Sequence, residues 1–176
     1  CNPIMDLETL KIDLKGLEKG ASHLDFDLDD TYFKAIDAPE VRRGCVRVSV
    51  DIVRTENDFF TLDFHGTGTV MVPCDLCLEP MEQSVETTQR LEAKFGTENS
   101  EEDDLVTVAE DEGILDVAWY LYEFIALAIP IKHVHAPGKC NPAMVRALEE
   151  YSAARSGEED EQAMDPRWEA LLKLKK

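Results

Sequence analysis

Between Cys45 and Val53 the side chains alternate without interruption. Val46, Val48, Val50 and Ile52 are apolar, and Arg47, Ser49 and Asp51 between them are not. A period of two sends one set of side chains to a core and the other to water, which requires a β-strand. Phe60, Leu62 and Phe64 repeat the pattern after the turn-like Glu56-Asn57-Asp58. Gly66 and Gly68 then predict a bulge or sharp bend, with the strand resuming through Thr69 to Val72. Ser84 to Phe95 reads as another long strand, with Val85, Thr87, Leu91, Ala93 and Phe95 on one face. Leu7 to Leu17 and His23 to Leu28 alternate in the same way, punctuated by Gly16 and Gly20. Thr31 to Ile36 reads as a short helical turn, Thr97 to Asp104 as an acidic loop, and Leu105 to Val108 as a short strand.

The last third is helical in pattern. Leu115 to Ala128 has only a narrow polar stripe of Asp116, Tyr120 and Glu123, so this helix is expected to lie buried against the sheet. Pro130 ends it. Asn141-Pro142 supplies an N-cap and a first-turn proline for a helix to about Tyr151, and Asp165-Pro166 repeats that chemistry before Trp168, Leu171 and Leu172. The fold class is α+β: a curved antiparallel sheet or partly open β-barrel, then a buried helix and C-terminal helices. The expected organisation is a single domain over 1–151, an acidic flexible linker over 152–164 and a C-terminal helix over 165–176.

Lys and Arg number 18 against 37 Asp and Glu, a formal net charge of −19. Such a chain repels phosphate backbones at long range, so a basic protein partner suits it better than a nucleic acid. The cations available for RNA are thin: Arg42-Arg43, Lys132, Lys139, Lys173, Lys175 and Lys176. The most apolar run, Ile114 to Ile131, contains Asp116, Glu123 and Pro130 and is too short and polar for a membrane span. Cys1 stands where a native chain carries Met, and reads as an addition ahead of a natural start at Met5 in preference to the lipidated first residue of a mature lipoprotein.

The five cysteines, Cys1, Cys45, Cys74, Cys77 and Cys140, are odd in number and scattered, unlike a secreted disulfide framework. Reduced thiols in a cytoplasmic protein are expected. Cys45 should be a small, partly buried strand residue, and His23 and His65 are isolated. Cys74 and Cys77, three positions apart between two strands, have the spacing with which a tight knuckle binds one tetrahedral metal. The second half would come from His133, His135 and Cys140, in a loop that Pro137-Gly138 turns. The predicted site is a closed Cys3His zinc centre of Cys74, Cys77, His135 and Cys140, with His133 as the alternative histidine. A redox dithiol fits less well. Pro80 argues against a helix after Cys77, and Asp75 and Glu79 should raise a thiol pKa rather than lower it. No P-loop, dinucleotide-binding glycine motif, nucleophile elbow or His-Glu-x-x-His occurs, so no enzyme is predicted.

Three blocks then resemble one family. Val72-Pro73-Cys74-Asp75-Leu76-Cys77-Leu78-Glu79-Pro80 resembles the C-x-R-C-L-x-P signature of the YceD family, the large ribosomal RNA subunit accumulation proteins of bacteria and plastids. Leu115 to Ile125 followed by Ala128-Ile129-Pro130 is similar to that family's helix and Leu-Pro block, and Asp165-Pro166-Arg167-Trp168-Glu169-Ala170-Leu171 to its ending. Two positions depart. His135 stands where relatives carry the first cysteine of a later Cys-rich segment, and Leu76 replaces a basic residue within the CxxC. The resemblance implies a non-catalytic factor in large-subunit rRNA accumulation and ribosome biogenesis. It leaves two other readings, a zinc-knuckle RNA-binding module and a CxxC thiol oxidoreductase.

Overall fold

The computed structural model describes residues 7–102 and 105–156. Strand β1 (Lys11–Asp13) follows a 3-10 turn at Leu7–Leu10, and β2 (Gly20–Leu28) leads into helix α1 (Asp30–Ile36). Strands β3 (Gly44–Arg54), β4 (Phe59–Pro73) and β5 (Pro80–Gly96) are the long elements. Then come β6 (Ser100–Glu102), β7 (Leu105–Ala109), β8 (Ile114–Asp116), α2 (Ala118–Leu127) and α3 (Pro142–Ser156).

The main sheet has the order β2-β3-β4-β5-β7-β6, and β1 pairs with β8 separately. The fold is α+β and the sheet stays open. One pair, β5 with β7, is parallel, so the sheet is mixed rather than wholly antiparallel. The apolar residues read from the alternation line its inner face: Leu28, Val46 and Val85 share one row, and Ile52, Leu62 and Leu91 another. Val50, Ile52, Phe60, Leu62 and Phe64 are all at most 1 % exposed. Each such side chain contributes about 1.5–3 kcal/mol by leaving water.

Helix α2 covers this face with Ala118, Leu121, Tyr122 and Ile125, and Phe124 meets Phe64 ring to ring at 5.2 Å. Trp119 and Leu127 on its other side are exposed, so the helix is buried along one stripe only. Helix α1 is capped by Asp29, whose carboxylate accepts the Thr31 and Tyr32 N–H groups. The buried Tyr32 hydroxyl donates to the Ala118 carbonyl at 2.8 Å and ties the two helices together.

Several expectations change in detail. Leu7 to Leu17 is not one strand. Among the described residues β1 finds a partner only in the three residues of β8, and Asp13 Oδ1 then accepts the Gly16 N–H in a turn. Gly66 and Gly68 make no bulge, because β4 pairs one-to-one with β3 and β5 straight through them. Their role is close approach: a Cβ on Gly68 would lie 2.2 Å from the Cys45 carbonyl oxygen. Part of the acidic segment forms β6 against β7. The helix expected from Leu115 begins at Ala118, since Leu115 belongs to β8 and Asp116 Oδ1 accepts the Ala118 N–H. Cys45 points to the outer face with Arg47 and is exposed. Helix α3 runs past Tyr151 to Ser156. Most of the expected linker, and the expected helix at 165–176, lie outside the described residues.

Candidate metal centre

Strands β4 and β5 stay in register to their ends, where Pro73 pairs with Pro80. The CxxC is therefore the loop of the longest hairpin in the fold, held by two rigid strands. The Cys74 N–H donates to the Glu79 carbonyl at 2.9 Å and the Leu78 N–H to the Cys74 carbonyl at 2.8 Å. Closing so tight a loop puts Leu78 in the left-handed region at φ 61°. Both sulfurs of the motif face inward: Cys74 is 0 % and Cys77 1 % exposed.

The second half arrives from the segment between α2 and α3. A turn closed by the Lys139 N–H on the Ala136 carbonyl reverses the chain, with Gly138 at φ 80°, the conformation a type II turn asks of glycine. Asn141 caps α3, its Oδ1 accepting the Ala143 N–H at 3.0 Å, while its Nδ2 donates to Glu79 Oε1 at 2.7 Å. His135 and Cys140, both half-buried, are thereby carried over the knuckle.

Cys74, Cys77, His135 and Cys140 present four ligand-type atoms, all within 4.8 Å of one another. Cys74 Sγ lies 3.8 Å from Cys140 Sγ, and His135 Nδ1 lies 3.3 Å from Cys77 Sγ and 3.9 Å from Cys140 Sγ. A tetrahedral zinc with ordinary bond lengths separates its sulfurs by about 3.8 Å and a sulfur from a nitrogen by about 3.6 Å. The residues present fit the ion. They would hold it through three thiolates and Nδ1 of one imidazole, a soft set with no open position, and it would act as a structural staple.

His133, the alternative histidine, has a different task. Its N–H donates to Asp75 Oδ2 at 2.7 Å, and its carbonyl accepts the Asp75 N–H at 2.9 Å. Its Nδ1 lies 3.1 Å from the Pro130 carbonyl oxygen. This reciprocal clamp fixes the incoming segment to the knuckle. Asp75 is the residue that sequence reasoning missed, having counted only as a negative charge near the thiols. An acceptor inside a CxxC loop, able to meet a backbone N–H, is the signal that was available.

The thiols differ in how firmly they hold their protons. Burial pushes the Cys74 thiol up, but the N–H groups of Cys77, His135 and Leu76 outweigh it and bring the pKa down to about 6. Burial dominates at Cys140, where the neighbouring sulfurs add to it and push the thiol up to about 11. Cys74, Cys77 and Cys140 are free thiols, as expected, but the expectation of reduced cysteines fails at Cys45, which is disulfide-bonded. The isolated histidines sit on the outer sheet face, His23 against Asp51 and Asp25, and His65 against the Thr88 hydroxyl.

The longest hairpin of an open α+β sheet thus ends in a four-residue Cys3His cluster. The family described as large ribosomal RNA subunit accumulation protein YceD matches residues 62–175, a span that runs from β4 through the cluster and α3. The chain belongs to the YceD family. No curated protein and no solved structure matches it. Among the described residues no helix is long and apolar enough to cross a membrane.

Proposed function

We propose that this protein is a non-catalytic, cytoplasmic accessory factor that supports accumulation and processing of large-subunit ribosomal RNA and ribosome assembly by holding a basic ribosomal or rRNA-processing protein. Membership of the YceD family carries the process. The net charge of −19 supports the kind of partner.

The disposition of the cations favours protein contact over RNA contact. Arg47 is paired with Asp27, Arg90 with Asp63, Arg43 with Asp30 and Arg54 with Asp58. Lys11 and Lys19 sit on Glu8 and Glu56. Arg47 and Arg90, forked onto Asp27 and Asp63, offer less to a phosphate than free cations would. The buried sulfurs of Cys74 and Cys77 likewise fit a staple better than a dithiol presented to a substrate. In this reading a zinc ion held by Cys74, Cys77, His135 and Cys140 fixes the hairpin end to the segment that starts α3.

Depleting the protein tests the process: large-subunit rRNA precursors should accumulate and mature subunits fall, and unchanged levels of both would overturn the reading. Capture on immobilised full chain tests the partner. A basic ribosomal or processing protein released by moderate salt supports it, whereas RNA retained after removal of protein contradicts it.

A further inference from the structure

Cys74 and Cys140 reach the cluster from different sides. Cys74 is buried at the base of the β4–β5 loop. Cys140 is half-buried and lines a surface notch of about 400 Å³ with Leu76, His135, Pro137 and Val145. Their sulfurs lie 3.8 Å apart. Cys77, the third sulfur, has His135 Nδ1 at 3.3 Å. All three are free thiols. A small oxidant entering the notch therefore meets Cys140 before it meets either buried sulfur, and Cys74 stands in contact with the sulfur it has reached.

We propose that Cys74 and Cys140 form a site of reversible oxidation, at which a peroxide converts the two thiols into a disulfide that ties the hairpin end to the start of α3. Cys140 Sγ attacks one oxygen of hydrogen peroxide. The O–O bond breaks, water leaves, and the sulfur becomes a sulfenic acid. Cys74 Sγ then attacks that sulfur, the S–O bond breaks, and the hydroxyl leaves with the Cys74 proton as a second water. Two thiols lose two electrons and two protons, and one peroxide becomes two waters. The remaining movement is short: the sulfurs close from 3.8 Å to about 2.0 Å. Cys74 is fixed by its N–H on the Glu79 carbonyl and by the Leu78 N–H on its own carbonyl. Cys140 follows the exposed turn at 136–139, so its side supplies the approach. Cys77 is turned to the histidine, and a bond inside the CxxC is the competing product. The disulfide takes two ligands from a four-ligand site, which then no longer retains an ion. It also does what an ion there would do, since the hairpin end and the start of α3 stay joined across 66 positions. None of this depends on the proposed function or on a metal being bound.

Peptide mapping of the full chain tests it. The protein as purified is treated with hydrogen peroxide at about tenfold molar excess, alkylated and digested with trypsin without reductant. Zinc released to a chromogenic chelator is read in parallel. Trypsin leaves Cys74 and Cys77 in 55–90 and Cys140 in 140–146. The expected main product is a crosslink of these two peptides, with fragment ions that put the bond on Cys74 and the alkyl group on Cys77. Dithiothreitol should restore both thiols, and any zinc the chain carried should leave in step with the bond. A main product bonded between Cys74 and Cys77, or between Cys77 and Cys140, overturns the proposal. So does sulfinic acid at Cys140 without a crosslink, or thiols left intact at a dose that oxidises free cysteine. Zinc retained by the crosslinked chain overturns it as well. A crosslink in a chain that carried no zinc supports it and counts against the zinc reading alone.

Discussion

Cys74 Sγ and Cys140 Sγ lie 3.8 Å apart although 66 positions separate them in the chain. That distance is the edge of a zinc–thiolate tetrahedron, about 3.8 Å, and it joins the β4–β5 hairpin to the start of α3. Protein purified without chelator should carry about one zinc per chain. Cys74→Ser or Cys140→Ser should reduce elemental zinc to near background. Because metal affinity for a folded site is folding free energy, either change should cost at least about 2 kcal/mol, a fall in Tm of about 4–8 °C for a chain of this size. An unchanged melting curve would make the thiols bystanders.

The two histidines should separate cleanly. His135→Ala removes the imidazole 3.3 Å from Cys77 Sγ and should weaken zinc binding by about 10–100-fold or more. His133→Ala leaves the backbone clamp on Asp75 in place and should retain a full equivalent. Asp75→Ala breaks the bond to the His133 N–H and should cost about 1.5–3 kcal/mol, the range for hydrogen bonds to charged groups. Competition with a chromogenic chelator measures the first two, and denaturant melts the third.

Gly66 and Gly68 should respond differently to alanine. At Gly68 the new methyl would meet the Cys45 carbonyl oxygen at 2.2 Å and Val46 Cα at 2.6 Å, both backbone atoms of the next strand. Gly68→Ala should cost about 3 kcal/mol, the upper end for overpacking. At Gly66 the nearest atom is the Thr87 side-chain methyl at 2.8 Å, which can rotate away. Gly66→Ala should cost about 1 kcal/mol. Urea unfolding of the pair gives the comparison.

Tyr32→Phe deletes a hydroxyl that reaches the Ala118 carbonyl inside the core. The carbonyl is left without that donor, so the loss should be about 1–3 kcal/mol with the ring packing intact. A melting curve checks it, and equal stability would mean that the helices do not depend on this bond.

Strong acid should loosen α1. The Thr31 hydroxyl and the Thr31 and Tyr32 N–H groups hold the Asp29 carboxyl below its ordinary value, and the Gly44 N–H with Arg43 does the same for Asp30. A lowered folded pKa means stability that is present above the unfolded value of 3.8 and lost as pH falls through the folded one. Both carboxyls are largely exposed, so the effect is small. Asp29→Ala should cost about 1 kcal/mol at neutral pH, and that difference should vanish at a pH below the folded value of the carboxyl. Parallel melts at the two pH values measure it.

The alternation from Val46 to Ile52 determined the sheet and which residues line its core, because a strand's two faces follow from a period of two whatever its neighbours are. The CxxC spacing, and a second half containing one histidine and one cysteine, were also legible, since metal ligands must be of these types and closely spaced. Local sequence did not contain the pairings. The parallel contact of β5 with β7, the capture of Leu115 by β1 rather than by α2, and the straight passage of β4 through two glycines depend on which strand lies alongside. The choice between His133 and His135 was of the same kind. Both are histidines in one loop, and only the backbone clamp from Asp75 to His133 decides that His135 Nδ1 turns toward the sulfurs. Sequence determined the chemistry the site could hold, and tertiary contacts across 58 and 66 positions decided which atoms meet, because a ligand set is a matter of distance in space and not along the chain.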